Sequence, residues 1–332
     1  MRFLRAQGGC LFTLMTTVAV SAVSLAPTFA QADNSLMALQ RMAQASRQLT
    51  YEGVFVYRSA DRMETSRIAH TWIDGRDVER VEVLDGSPRE MIRNGDEITS
   101  FFPIEKRLIV ETRSTHRQFP TLLSAGLSRL QDNYAFRSAG QGRIAGINSR
   151  VIVLEPRDNL RYGHEFWLDN ASGLLLRSVI LGGHGETLDS FSFTQIDIGG
   201  SLPRQLLKPR FPTEGLQVQK VTTTEIVPED LGWVFHKKIP GFRRINAMKR
   251  QSGFGQAALH VLFSDGVATI SVFIEPRTNT EGADQSNPAV LSSMGALNVY
   301  YRQTRQHYLV VMGEVPVLAL KQLGDGIEWR KE

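Results

Sequence analysis

From Tyr51 onward the chain alternates between short apolar runs and polar turn signals. YEGVFVYRS (51–59), SRIAHTW (66–72), ERVEVL (79–84), REMIR (89–93), EITSFF (97–102) and RLIVE (107–111) are rich in Val, Ile, Thr and aromatics. Asp74-Gly75, Asp85-Gly86-Ser87-Pro88 and Asn94-Gly95 stand between them. Runs of this length, with turns and no long helices between them, predict an antiparallel meander and not βαβ units. The pattern returns at RIAGINSRVIVLEP (143–156), GHEFWLD (163–169), LLLRSVIL (174–181) and DSFSFTQIDI (189–198). Alternation there sets Phe166 and Leu168 against Trp167, Leu174 and Leu176 against Leu175, and Phe191 and Phe193 against Ser190, Ser192 and Thr194.

Two segments carry helical spacing instead. After Asp33, which can cap, Leu36, Leu39, Met42 and Leu49 suit one helical face. FPTLLSAGLSRLQ (119–131) places Leu122, Leu123, Leu127 and Leu130 on overlapping faces after Pro120. Residues 199–216, rich in Pro, Gly and basic side chains without a period, read as a linker. Beyond it a second mixture predicts strands at QVQKVTT, GWVFHK, ALHVLF, ATISVFIEP, ALNVYYRQ and HYLVVMGEV, and a short helix near VPVLALKQL. A long polar connection covers 278–295. The expected division is 33–198, a linker at 199–216, and 217–332.

The first 32 residues change the picture. Arg2 and Arg5 precede an apolar run, Leu11 to Ala26, and Ala30-Gln31-Ala32 offers a small-x-small cleavage site. This is the layout of a secretory signal peptide, so the mature chain is expected outside the cytoplasm. Cys10, the only cysteine, lies in this leader, which removes disulfides, thiolate nucleophiles and cysteine metal sites from the mature chain. Of 38 basic and 34 acidic residues, only Arg2 and Arg5 belong to the leader, so the remainder is close to neutral. The charges are interspersed, and no nucleic acid is expected as a partner.

Catalytic and cofactor chemistry find no support in the pattern. His164-Glu165 sits in a strand-like run, where adjacent side chains point to opposite faces and cannot converge on one ligand. A strand position at a sheet surface is the plainer reading of His164. Gly140-Gln141-Gly142 leads into a strand rather than a helix N-terminus, so it does not read as a dinucleotide loop. Gly182-Gly183-His184-Gly185 reads as a hairpin turn. No nucleophile elbow and no spaced metal ligands occur; no enzyme activity, metal or cofactor is expected.

A meander of this width with two helices to shield it leaves two outcomes open. One is an ordinary closed core. The other is a strongly curved sheet whose concave face is partly unfilled and open to an apolar ligand.

Several stretches resemble the RseB/MucB family of sigma-E factor regulatory proteins: YEGVFVYRS (51–59), VLDGSPREMIR (83–93), LEPRDNLRYGHEFWLDNASGLLLRS (154–178), FSFTQI (191–196), FSDGVATISVFIEP (263–276) and VVMGEVP (310–316). The resemblance implies an α+β protein: a half-open antiparallel β-barrel wrapped over helices, similar to the lipoprotein carriers LolA and LolB, followed by a smaller C-terminal α+β domain. It implies a periplasmic negative regulator of the sigma-E envelope stress response. Such a protein binds the periplasmic segment of a membrane-spanning, RseA/MucA-like anti-sigma factor, shields it from regulated proteolysis, and is released by lipid or lipopolysaccharide; a homo-oligomer is compatible with this. The alternative is a periplasmic lipid or lipoprotein carrier. On the matched segments, Phe55, Trp72, Met91, Phe102, Phe166, Leu176 and Phe191, with Leu123 and Leu127 of the covering helix, are the expected lining or support of a lipid cavity. Phe273, Glu275, Arg277, Tyr300, Tyr301 and Arg302 are the expected partner contacts.

Overall fold

The computed structural model describes residues 28–112, 129–252, 257–277 and 289–330. The leader up to residue 27 with Cys10, residues 119–128 of the helix expected over 119–131, with Leu123 and Leu127, and most of the polar connection lie outside the described residues.

Helix α1 (Thr28–Gln48) opens the described chain. Leu39 and Met42, three residues apart, are fully buried, and Ala38, Ala43 and Ala45 beside them let the helix sit close to the sheet. Eleven strands follow: β1 (Tyr51–Ser59), β2 (Arg62–Ile73), β3 (Arg76–Val83), β4 (Glu90–Asn94), β5 (Glu97–Phe102), β6 (Arg107–Thr112), β7 (Tyr134–Ile144), β8 (Ile147–Pro156), β9 (Gly163–Asp169), β10 (Leu175–Leu181) and β11 (Thr187–Ile198). They pair antiparallel in the order β7-β8-β9-β10-β11-β1-β2-β3-β4-β5-β6. The turn at Asp74-Gly75, with φ of 50° and 78°, has the left-handed geometry that matches strand twist in a two-residue hairpin.

Strand β12 (Gln217–Glu225) then runs parallel to β6 and carries the ladder into the second half. There β14 (Arg243–Ser252), β15 (Ala258–Ser264), β16 (Thr269–Pro276), β19 (His307–Gly313), β18 (Leu297–Gln303) and β17 (Val290–Met294) continue it, so one 18-stranded sheet runs through both halves. β13 (Trp233–Phe235) and β20 (Ile327–Trp329) form a separate pair. The remaining helices are α2 (Leu130–Asn133) and α3 (Val317–Gly324). Among the described residues the class is mostly β rather than the expected α+β, and no barrel closes, since β7 pairs there with β8 and β6 passes its free side to β12. The physical reason is that helices are few: the second half has its own core beneath α3, yet its strands continue the first sheet through β12.

The inner face of the first sheet can be read from register. Phe166, Ser178, Phe191 and Tyr57 stand in one cross-strand row, with His164, Ile180 and Asp189 in the next. Between α1 and β8–β10 this face packs Leu39, Met42, Leu130, Tyr134, Ile152, Leu154, Phe166 and Leu168. The outer face carries a buried charge cluster. Arg80 bonds Glu82 (2.9 Å) and Glu90 (3.1 Å), and the segment after β11 lies across them, Arg210 giving its backbone N–H to Glu90 and its guanidinium to Glu82 (2.6 Å).

Candidate functional site: a cavity between the two halves

Among the described residues, nothing covers the inner face beyond the reach of α1 except the second half itself. A cavity of about 720 Å³ lies between it and the second half. One wall comes from β9–β11 and β1, with Phe166, Leu175, Ile180 and Phe191 supplying the apolar surface. The facing wall comes from β12, β14–β16, β18 and β19, with Met248, Leu262, Phe273 and Met312. The size and the mostly apolar lining surface suit a small apolar ligand.

Aromatic packing supports both walls. Phe55 lies beside the lining residues on the same face of the first wall, its ring 4.9 Å from Phe191 and 6.0 Å from Phe193, and Phe191 meets Phe193 edge-on at 5.1 Å. On the second wall His260 stacks on Phe273 at 4.3 Å, and its Nε2 pairs with Ser271 at 3.0 Å. Alternation explains the arrangement: His260 and Leu262 share a face of β15, directly opposite Phe273 and Ser271 of β16.

Polar side chains interrupt both walls, and several of them are held by partners. Tyr57 donates its hydroxyl to Asp189 (2.8 Å); burial and that carboxylate raise the phenol well above its ordinary value, so it stays protonated. Asp189 also accepts the Ala296 N–H (3.1 Å) from the opposite half. Arg250 bonds Glu111 at 3.3 Å. His164 differs. Its ring stacks on Phe166 at 5.7 Å, burial pushes its pKa down to about 4, and its Nε2 has no partner among the described residues. The expectation of a sheet-surface position is corrected here: the strand parity holds, but this face of β9 is interior, so a neutral imidazole sits in the wall.

The expected residues fall into distinct places. Phe166 and Phe191 line the cavity. Phe55 and Leu176 belong to the packed cluster beside it. Met91 and Phe102 are half-buried on β4 and β5, outside the lining, and Trp72 is 38% exposed at the far end of β2. Trp72 shares the parity of the inner face but stands outside the lining of this cavity. Among the expected partner contacts, Phe273 lines the cavity itself. Glu275 is exposed; Arg277, Tyr301 and Arg302 are half-buried, with Arg277 over the Tyr308 ring (5.7 Å) and bonded to the Thr304 carbonyl (3.1 Å). Tyr300 is 1% exposed and bonds Asp325 (2.5 Å), because its strand face packs under α3.

Met248, Arg250, His260, Leu262 and Met312 escaped the sequence reading. The alternation His260, Leu262 was a usable signal, whereas the charged β14 gave none.

Residues 34–211 match the family model described as the MucB/RseB N-terminal domain, and residues 227–328 match the MucB/RseB C-terminal domain. The sigma-E factor regulatory protein RseB of Salmonella typhimurium is 29% identical over 300 residues, which cover 88% of this chain and 90% of that protein. The sigma factor AlgU regulatory protein MucB of Pseudomonas aeruginosa is 31% identical over 288 residues, covering 84% and 86%. Among solved structures, the Pseudomonas aeruginosa MucA/MucB complex superposes with a TM-score of 0.71 at 26% identity, covering 90% of this chain and 100% of the matched one. MucB in complex with MucA(peri) gives 0.68 at 28% identity, covering 89% and 99%.

Proposed function

The chain belongs to the MucB/RseB family, and from that premise we propose that it is a periplasmic negative regulator of a sigma-E-type envelope stress response. It holds the periplasmic segment of a membrane-spanning anti-sigma factor, keeps that segment from regulated proteolysis, and releases it when lipid or lipopolysaccharide occupies the cavity. In this reading residues 33–198 sense lipid, 199–216 link, and 217–332 contribute the partner contact, after a leader ending near Ala32 is removed. The similarity to MucB in structures with MucA, over 89–90% of this chain, is the observation that carries it.

Coupling between the two ligands follows from linkage. A lipid that favours a form unable to hold the segment weakens segment binding, and the segment weakens lipid binding by the same factor. Phe166, Phe191 and Ile180 on one wall, and Phe273, Leu262 and Met312 on the other, are the groups we assign to the lipid chain. The experiment is digestion of an anti-sigma periplasmic segment by its protease with excess mature chain. Cleavage should slow and then recover on addition of lipid; unchanged cleavage contradicts the regulator reading. The apolar cavity by itself also suits a lipid or lipoprotein carrier. A pull-down from detergent-solubilised inner membrane separates the two: a single-span protein supports the regulator, acylated lipoproteins the carrier.

A further inference from the structure

The walls of the cavity are joined by backbone on one side and by side chains on the other. On the first side β12 is shared: Gln217–Val221 pair with β6 and Val221–Glu225 with β14, so the ladder crosses between the halves at Val221. Opposite, the loop between β8 and β9 meets the turn between β15 and β16. Each half gives the other an apolar residue there. Leu160 of the first half joins the core beneath α3, and Val267 of the second joins the core beneath α1.

A buried ion pair stands at the centre of that seam. Arg161 donates through Nη1 to Asp265 at 3.2 Å, and both side chains are 0% exposed. Arg161 also donates through Nε to Asp158 (3.1 Å) and through Nη2 to the Pro240 carbonyl (2.5 Å). Its guanidinium lies over the rings of Tyr134 (5.6 Å) and Phe242 (5.4 Å), one from each half. Asp265 accepts further from the Tyr134 hydroxyl (2.9 Å) and from the Val267 and Ala268 N–H groups. Nearby, Asn298 donates to the Tyr162 hydroxyl at 2.9 Å. Arg161 and Asp265 both belong to stretches that carried the resemblance, yet neither lines the cavity.

We propose that this seam is the releasable side of the cavity: the Arg161–Asp265 node latches the second half against the first, and the halves pivot about Val221 when it opens. The two sides differ in what opening costs. Parting β12 from its neighbours strips a row of backbone N–H and C=O groups of their partners at once. Parting the seam breaks a small set of side-chain contacts. The net worth of its buried ion pair is small, because desolvation offsets attraction, while its geometric demand is strict. Such a node fixes the spacing of the walls more than it adds stability. Arg161 and Asp265 are therefore positioning residues: they set how far apart Phe191 and Phe273 stand.

The proposal rests on the proposed function only for its binding readout. Since the mature chain has no cysteine, Asn170→Cys and Gln306→Cys, in exposed turns of the two halves, take a pair of spin labels for distance measurement. The test variant is the double Arg161→Met/Asp265→Leu, which removes both charges and leaves neither orphaned. Its label distances should broaden towards longer values than in the parent, and its affinity for the anti-sigma segment should fall about tenfold, within the usual range of coupling between sites. Unchanged distances in the folded double variant overturn the latch. Changed distances with unchanged segment binding uphold the latch and count against the proposed function instead. Should the double variant fail to fold, Tyr162→Phe, which removes one oxygen from the same seam, carries the test: a smaller shift in the same direction supports the latch, and no shift overturns it.

Discussion

The inner face of the first sheet is treated in two ways. Where α1 lies on it, the face is packed with Leu39, Met42, Leu154 and Leu168. Farther along β9–β11 and β1, at Ile180, Asp189, Phe191 and Tyr57, it faces the second half across open space. Dimensions explain the difference. A helix of 21 residues is about 32 Å long and about 10 Å broad. Eleven strands spaced about 4.8 Å apart span roughly 50 Å. One helix cannot cover such a sheet, and among the described residues the remainder becomes a wall with a second body, the other half of the chain, opposite it.

Perturbations should separate the two regions. Phe166 belongs to both, packed under α1 and facing the cavity at 1% exposure. Phe166→Asp buries an unpaired charge and should cost about 4 kcal/mol or more, seen as a large fall in the urea midpoint or as failure to fold. Met42→Ala lies wholly in the covered region; it should cost about 3 kcal/mol and leave lipid affinity unchanged in the folded fraction. Equal sensitivity of lipid binding to Met42→Ala and to cavity-wall substitutions would erase the distinction.

His164 marks the boundary between the regions and adds a dependence on pH. Its folded pKa is lowered by burial to about 4, below the ordinary value of 6.5. The unfolded chain therefore binds this proton first as pH falls, and the stability contributed by the neutral ring is lost between pH 6.5 and about 4. The loss is on the order of 3 kcal/mol. Chemical denaturation of His164→Gln over that window should show a shallower fall than the parent. Parallel curves would mean that the ring is hydrated and not part of a dry wall. On the open side, Ile180→Ala should cost only about 1 kcal/mol, since half its surroundings are empty, but should alter lipid affinity. Smallest of all, Arg210→Ala removes a clasp whose own guanidinium is largely exposed; a loss of about 1 kcal/mol or less is expected in the thermal midpoint.

Much of this architecture was legible in local pattern. The meander from β1 to β6, the parity of Phe166, Leu168, Phe191 and Phe193, and the turns at Asp74-Gly75 and Asn94-Gly95 follow from alternation and turn chemistry, which are short-range. β14 was missed because RRINAMKRQS carries charge at both ends and on both faces. β17 was missed because it is an exposed edge strand and is not required to be apolar on one side. The passage of the sheet from β6 into β12 leaves no trace in either strand, as it is a parallel pairing between segments about a hundred residues apart. The cavity was not legible in pattern alone: alternation gave the shared face of Phe191 and Phe193 and left a closed core and an open concave face as alternatives, while what stands opposite depends on which strand faces which across the molecule. Trp72 and Tyr300 show the limit, since parity gives a face but not what lies against it.

In the proposed function, occupancy of this cavity trades against the grip on another polypeptide. Titration of the mature chain with an anti-sigma periplasmic segment at rising lipid concentration, together with the reverse titration, measures that trade. Each ligand should weaken the other by the same factor, with Ile180→Ala reducing the effect; two affinities that stay constant in each other's presence would rule the coupling out.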